Sequence, residues 1–185
     1  MSLQGWQETL ITAQVDGTAL ASSVTATSIL PAAAKFTLPA NYFGYIGKVL
    51  RLTAQGRIST TSSSPTITFD VRLGAVIVFN GAAVATVAAG AQTNKTWQLE
   101  ALLTCRAIGA STSANLMGIG KLTSSAVVGS SGGNANTALL PDSAPAVGTG
   151  FDSTVSNVVD LFATWSASSA SNSVQLHSFA LESLN

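Results

Sequence analysis

The sequence has few residues that could carry chemistry. Of 185 residues only 9% are charged, and the chain holds one cysteine and one histidine. A lone cysteine excludes an intrachain disulfide, and a lone histidine excludes a metal site built on several histidines. Because soluble proteins average about 25% charged residues, the polar surface here must consist mainly of uncharged side chains and backbone. This composition predicts neither a metal nor a cofactor.

Basic charge is scarce and unevenly distributed. The formal net charge is zero, which argues against nucleic acid as a partner, since phosphate binding needs a concentrated excess of Lys and Arg. No basic residue follows Lys121, whereas four acidic ones do: Asp142, Asp152, Asp160 and Glu182. These acids are expected to neutralise the basic middle of the chain, within one molecule as the simpler alternative or between subunits as the other.

Long apolar runs are also missing. The uncharged segment 73–94 is interrupted by Asn80 and Gly81, and much of the remainder is alanine. A membrane-spanning helix needs about 20 predominantly apolar residues, which this segment does not provide. The sequence therefore predicts no membrane partner.

What the sequence does contain is alternation of apolar and polar residues with a period of two. Successive side chains of an extended chain point to opposite faces, so this period predicts strands with one buried face. The clearest example is 97–108, whose polar face, Gln98, Glu100, Thr104 and Arg106, is interrupted by Leu102. Its apolar face consists of Trp97, Leu99, Ala101, Leu103, Cys105 and Ala107. Weaker or shorter strands are predicted at 8–15, 35–38, 48–58, 66–73, 75–79, 82–87, 116–123, 157–165 and 173–184.

Local signals refine this pattern. Asn80-Gly81 predicts a tight turn, because both central positions of a type I′ turn need positive φ. A shift of one in the period at His177-Ser178 predicts a β-bulge. Gly118 and Gly120 lie on one side of the predicted strand 116–123, where glycines indicate the close approach of backbone or of a bulky partner such as a tryptophan.

Together these features predict an all-β protein of about eight strands. No segment shows a convincing helical period, so we expect a single antiparallel β-sandwich, jelly-roll-like, over residues 16–185. A short N-terminal arm or first strand is predicted over 1–15. The segment 124–150, rich in Ser, Gly and Asn, is predicted to be a long surface loop.

The sequence signals for catalytic residues are weak. His177 is the only base available for a Ser-His-Asp triad, and chance proximity to one of many serines is easy. Asp152 and Asp160 could pair for glycoside hydrolysis, but Asp152 follows Gly150 and more simply indicates a turn. Cys105 lies on an apolar face, which favours a buried hydrophobe over a nucleophile. We therefore predict no catalytic residue and no enzyme.

Large side chains of the first 45 residues are the better candidates for an interface. Trp6 could anchor the arm on this molecule or on a neighbour. The aromatic group that begins at Tyr42 is predicted to plug one end of the sandwich, with a ligand platform as the alternative. The candidate interface residues are Trp6, Leu10, Tyr42, Phe43 and Tyr45.

Four phrases of the sequence resemble small all-β virion-associated proteins of tailed bacteriophages. They are SILPAAAKFTLPANYF, WQLEALLTCRAIG, TALLPDSAPAVGTGFDST and NSVQLHSFALESLN. The resemblance extends from about residue 7 to the end of the chain and includes no catalytic motif.

The resemblance implies a structural virion protein with a jelly-roll-like fold. Its expected role is that of a capsid decoration, or cement, protein, made in the bacterial cytoplasm and carried on the surface of the phage head. The implied partners are the major capsid protein and further copies of the chain, with a trimer favoured. The alternative is a tail-associated receptor- or carbohydrate-binding module, which would expose Tyr42, Tyr45 or Trp165 in a groove, since a fold does not fix a function.

Overall fold

The computed structural model describes residues 7–130 and 136–184, which form two antiparallel β-sheets packed face to face. The only helical element in these residues is a single 3-10 turn, Ala32–Ala34, and none is long and apolar enough to cross a membrane. The strands are β1 (Gln7–Thr12), β2 (Leu20–Ala21), β3 (Thr27–Ser28), β4 (Phe36–Leu38), β5 (Val49–Thr60), β6 (Thr66–Leu73), β7 (Val76–Ala85), β8 (Gln92–Ala107), β9 (Asn115–Ser124), β10 (Thr137–Leu140), β11 (Asn157–Trp165) and β12 (Ser173–Leu184).

The larger sheet has the order β1-β12-β5-β8-β9-β10, and β2 also pairs with β12. The smaller sheet has the order β3-β11-β6-β7, and β4 also pairs with β11. This arrangement confirms the predicted all-β, antiparallel, jelly-roll-like sandwich. The prediction of about eight strands was too low, because β2, β3 and β10 have at most four residues and cannot display a period.

The core follows the alternation in the sequence. On β8, the side chains from Trp97 to Cys105 that share the predicted apolar face are buried, and Ala107 at the strand end is partly exposed. The Trp97 ring lies 5.1 Å, centroid to centroid, from that of Phe69 on the opposite sheet. The Cys105 thiol is buried, and burial raises its pKa. This confirms the prediction that Cys105 is a buried hydrophobe.

The predicted turn at Asn80-Gly81 was wrong. β7 runs through these two residues, and the hairpin that joins β6 to β7 turns at Gly74-Ala75, where Gly74 has a φ of 60°. β7 bulges instead of turning: Ala82 has a φ of 60°, and its N–H donates to Asn80 Oδ1 at 2.8 Å. The pairing with β6 therefore overrides the local turn preference, which is expressed only as a bulge.

The predicted bulge on β12 is confirmed. The register between β12 and β5 shifts between Leu176 and Ser178. Because of this shift, Val174 and Leu176 before the bulge and Phe179 and Leu181 after it all point into the core.

The segment 124–150 is only partly irregular, since it contains β10. Its later residues run between the two sheets, where Gly148 N donates to Leu116 O at 2.9 Å and Thr149 N donates to Ile77 O at 3.0 Å. These bonds link β9 of the larger sheet to β7 of the smaller sheet. The segment therefore closes one side of the sandwich.

Two C-terminal acids are neutralised within the molecule. Arg51 Nε donates to Glu182 Oε2 at 2.6 Å, and Lys35 Nζ lies 2.7 Å from Asp160 Oδ2. The hydrogen bond from Arg51 is the main cause that lowers the pKa of Glu182. For these two acids the simpler alternative, neutralisation within one chain, is confirmed.

Gly118 on β9 faces the Phe79 side chain on β7. A Cβ at this position would lie 2.2 Å from Phe79 Cδ2. The close approach predicted from the sequence is therefore real, and the bulky group is a phenylalanine ring.

We expect Gly118→Ala to destabilise the protein by about 1–3 kcal/mol, because the added methyl group overpacks the core against Phe79. The free energy of unfolding measured by denaturant titration tests this. Gly44→Ala is the matched control, since its Cβ would meet nothing closer than 3.8 Å. Equal stability of the two variants would contradict the prediction.

Candidate functional site

Three loops meet at one end of the sandwich. They are 39–48 before β5, 108–114 between β8 and β9, and 150–156 before β11. We call these three loops the loop end. The main chain is antiparallel throughout, so β8 ends here, where β5, β9 and β11 begin.

Ser153 joins the three loops. Its N–H donates to Gly109 O at 2.9 Å, and its carbonyl accepts from Asn41 N at 2.9 Å. Its hydroxyl accepts from Gly109 N at 2.9 Å and donates to Gly109 O at 3.1 Å. Ser153 is buried. The loops are therefore fixed to one another by hydrogen bonds that converge on a buried serine.

Aromatic rings pack against the loops from the side of the core. The Phe43 ring meets Tyr42 edge-on at 5.3 Å and Phe151 at 5.6 Å, centroid to centroid. Phe43 is buried, and Tyr42 is partly buried against the core. The predicted plug at one end of the sandwich is correct for these two residues. It is wrong for Tyr45, which is 47% exposed because it lies farther along the loop.

Lys48 packs its ammonium group on the Tyr42 ring, with Nζ 3.8 Å from the ring centroid. Burial lowers the pKa of Lys48 and raises that of Tyr42. The Glu8 carboxylate acts on both groups: it raises the pKa of Lys48 in opposition to burial and adds to the rise for Tyr42. The start of β1 therefore lies beside the loop end.

Four large apolar side chains point from the loop end into solvent. Their exposed fractions are 47% for Tyr45, 63% for Ile46, 43% for Ile108 and 50% for Val155. Single exposed apolar residues are normal, but a group of them on adjoining loops is typical of an interaction site. We call these four residues the apolar crown. The sequence pointed to Tyr45 alone, since apolar residues in loops have no period.

The other candidate interface residues have different surroundings. Trp6 lies outside the described residues. Leu10 is partly buried against the core on β1, and Phe43 supports the loop from inside. Trp165, which the carbohydrate-binding alternative could have exposed, is 1% exposed because it occupies an inward position of β11.

The candidate catalytic residues have structural partners. His177 lies on the bulge of β12, and its Nδ1 is 2.9 Å from Asp16 Oδ1. Asp152 accepts hydrogen bonds from Ser111 N and Thr154 N, both at 2.8 Å. Asp160 accepts one from Ser28 Oγ at 2.7 Å besides its contact with Lys35. Within 7–130 and 136–184 no three His, Cys, Asp or Glu side chains group as metal ligands.

No family model matches the chain, and neither does any curated protein. Among solved structures, it is similar to the CBM2 module of the evolved Dit of Lactobacillus casei BL23 phage J-1, with 11% identity, a TM-score of 0.39, and 99% and 98% of the two chains covered. Peanut lectin gives 8% identity, a TM-score of 0.37 and coverage of 98% and 99%. A galectin of Caenorhabditis elegans gives 17% identity, a TM-score of 0.27, and coverage of 83% of this chain and 94% of the galectin. These values describe a distant likeness between β-sandwiches and carry no functional assignment.

We expect Ser153→Ala to destabilise the protein by about 1–3 kcal/mol, because the partly buried N–H of Gly109 loses its hydroxyl partner. Denaturant titration measures the loss, and amide hydrogen exchange at Gly109 should accelerate. The control is Ser143→Ala, which removes an exposed hydroxyl. Unchanged exchange at Gly109 would contradict the role assigned to Ser153.

Asp152 should make the stability depend on pH. Its pKa lies below the ordinary value, chiefly because the Thr154 hydroxyl donates to it, with Ser111 N and Thr154 N adding to the effect. A depressed folded pKa contributes stability that is complete above the unfolded value of about 3.9 and disappears as pH falls through the folded value. Asp152→Asn should therefore melt below the wild type at neutral pH, and the two melting temperatures should converge in acid. A difference that is constant with pH would contradict this.

Proposed function

We propose that this chain is a structural protein of a phage virion, a capsid decoration protein that binds the outside of the head through its loop end. The observation that carries the proposal is the apolar crown, displayed on loops that Ser153 and the Phe43–Phe151 contact hold in place. The phage assignment rests on the resemblance of the sequence phrases. The major capsid protein is the proposed partner, and copies of the chain form a homo-oligomer.

The geometry of the loop end favours binding to a protein surface. Loops already fixed by buried hydrogen bonds lose little conformational entropy on association. Each buried square ångström of apolar surface contributes about 25 cal/mol. The crown contains no charged residue, whereas Lys48 and Asp152 lie in the same loops, as in interfaces with an apolar centre and a polar rim.

Ile46→Asp tests the docking surface. A carboxylate in a contact that excludes water should weaken binding at least about tenfold, since an unpaired buried charge is costly. The assay is co-sedimentation with heads of the encoding phage that lack this protein. Stability should stay within about 0.5 kcal/mol of wild type, because Ile46 is 63% exposed.

The matched control is Val24→Asp, since Val24 is 51% exposed and lies between β2 and β3, outside the loop end. It should bind heads as the wild type does. Full binding by Ile46→Asp, or an equal loss in both variants, would overturn docking through the loop end.

A tail-associated carbohydrate-binding module is the second candidate function. It is favoured by the exposure of Tyr45, since it predicts that Tyr42, Tyr45 or Trp165 is exposed, and Tyr45 lies in the same loop as the Lys48–Tyr42 contact. A glycan array with wild type and Tyr45→Ala separates the two functions. Glycan binding that Tyr45→Ala abolishes would favour the module, and an array without any binding would exclude it for the glycans displayed.

A further inference from the structure

A second exposed apolar area lies on the outer face of the larger sheet, across β8, β9 and β10. Leu102, Ile119 and Leu139 are exposed by 42%, 53% and 54%, and they line one groove together with Glu100 and Lys121. We call these five residues the outer patch. It is built from strands rather than loops, so it is distinct from the apolar crown.

The register between β8 and β9 arranges the patch in rows. Leu102 lies directly opposite Ile119, and two positions away Glu100 lies directly opposite Lys121. Lys121 Nζ is 3.1 Å from Glu100 Oε2, and both side chains remain accessible, at 54% and 34%. On β8 and β9 one row is therefore apolar, and the neighbouring row carries one negative and one positive charge, with Leu139 of β10 directly opposite Lys121.

We propose that the outer patch is the contact between two copies of this chain, related by a two-fold axis parallel to the strands and midway between β8 and β9. This contact is the self-association surface of the proposed homo-oligomer. It rests on the proposed function only because that function includes a homo-oligomer. The contact makes a dimer, whereas the sequence resemblance favours a trimer.

This axis makes the patch complementary to itself. It preserves the position of a residue along the strand and exchanges β8 with β9. Glu100 of each copy then faces Lys121 of the second copy, and Leu102 faces Ile119 of the second copy. Such self-complementarity is what a closed two-fold interface requires. Facing charges of opposite sign also fix the register of the two sheets.

Two other axes in the plane of the contact give poorer matches. An axis perpendicular to the strands through the charged row would place Glu100 on Glu100 of the second copy. An axis perpendicular to the strands and between the two rows would place Glu100 on Leu102, which buries a charge against an apolar group. Of these three axes, only the one parallel to the strands places opposite charges on each other.

A second copy fits the patch better than a strongly charged partner does. The patch has one charge of each sign, so a highly charged surface gains nothing from it. The neighbouring outward pairs along β8 and β9, Gln98 with Thr123 and Thr104 with Met117, are uncharged, and on β5 Arg51, which lies opposite Leu102, is paired with Glu182. Strand spacings give a contact of roughly 500 Å² per copy over four strands, which is at the weak end of stable interfaces. The dimer should therefore depend on concentration.

Single charge reversals and their mixture test the proposal. Lys121→Glu alone, or Glu100→Lys alone, places like charges opposite each other in the homodimer and should weaken self-association at least about tenfold. Mixed together, the two variants have opposite charges at both contacts and should form a heterodimer. The intrachain pair is broken in both, so recovery in the mixture can come only from contacts between copies. The exposed intrachain pair contributes little to folding, which thermal unfolding verifies.

Sedimentation velocity over a wide range of concentrations, without capsids, is the measurement. Val158→Asp, an exposed position on the smaller sheet, is the matched control and should dimerise normally. A wild type that stays monomeric, a trimer that the reversals do not affect, or a mixture that fails to recover would each overturn the proposal. Head binding by the single variants is measured separately, so loss of the dimer and loss of capsid docking are distinguishable.

Discussion

The hydrogen bonds and packing of the Trp97 indole connect most of the structure. Its Nε1 donates to Arg57 O at 3.1 Å and lies 3.3 Å from Gln175 O, and its ring packs on Phe69. One side chain thus joins three neighbouring strands of the larger sheet to the smaller sheet. Indole is large and carries a single donor, which usually finds a partner when it is buried. Through these carbonyls of Arg57 and Gln175, Trp97 on β8 contacts both β5 and β12.

The register of these strands determines what each surface can do. Once the inward positions of β8 are fixed, the outward positions follow, because side chains alternate strictly. Glu100 and Leu102 are therefore forced to face solvent next to Lys121 and Ile119. The loop end is organised differently. No period determines where its side chains point, and the hydrogen bonds of Ser153 hold the loops that carry them. The molecule thus has one surface fixed by a sheet and another fixed by a buried serine.

The sequence predicted the parts of the fold in which each strand has one buried face. β5, β6, β8, β9, β11 and β12 are long enough for alternation to be visible. The prediction from the sequence failed where tertiary pairing overrides a local turn signal, as at Asn80-Gly81. In the candidate sites, Tyr45 was found because it is large, whereas Ile46 lies in a loop without a period and Ile108 was predicted to be the end of a strand. Leu102 did leave a signal, as an apolar residue that interrupts a polar face, but its partners become visible only with the strand register.

The internal pairing of charges has a kinetic consequence. Because the formal net charge is zero, and Arg51 is paired with Glu182 and Lys35 with Asp160 in the same chain, the protein has little net charge with which to attract a partner from a distance. Encounters without electrostatic steering proceed at about 10⁵–10⁶ M⁻¹s⁻¹ and change little with salt. The occupancy of any partner surface is then governed by the dissociation rate of the complex. For such a protein, residence time rather than capture rate is the quantity that apolar contacts adjust.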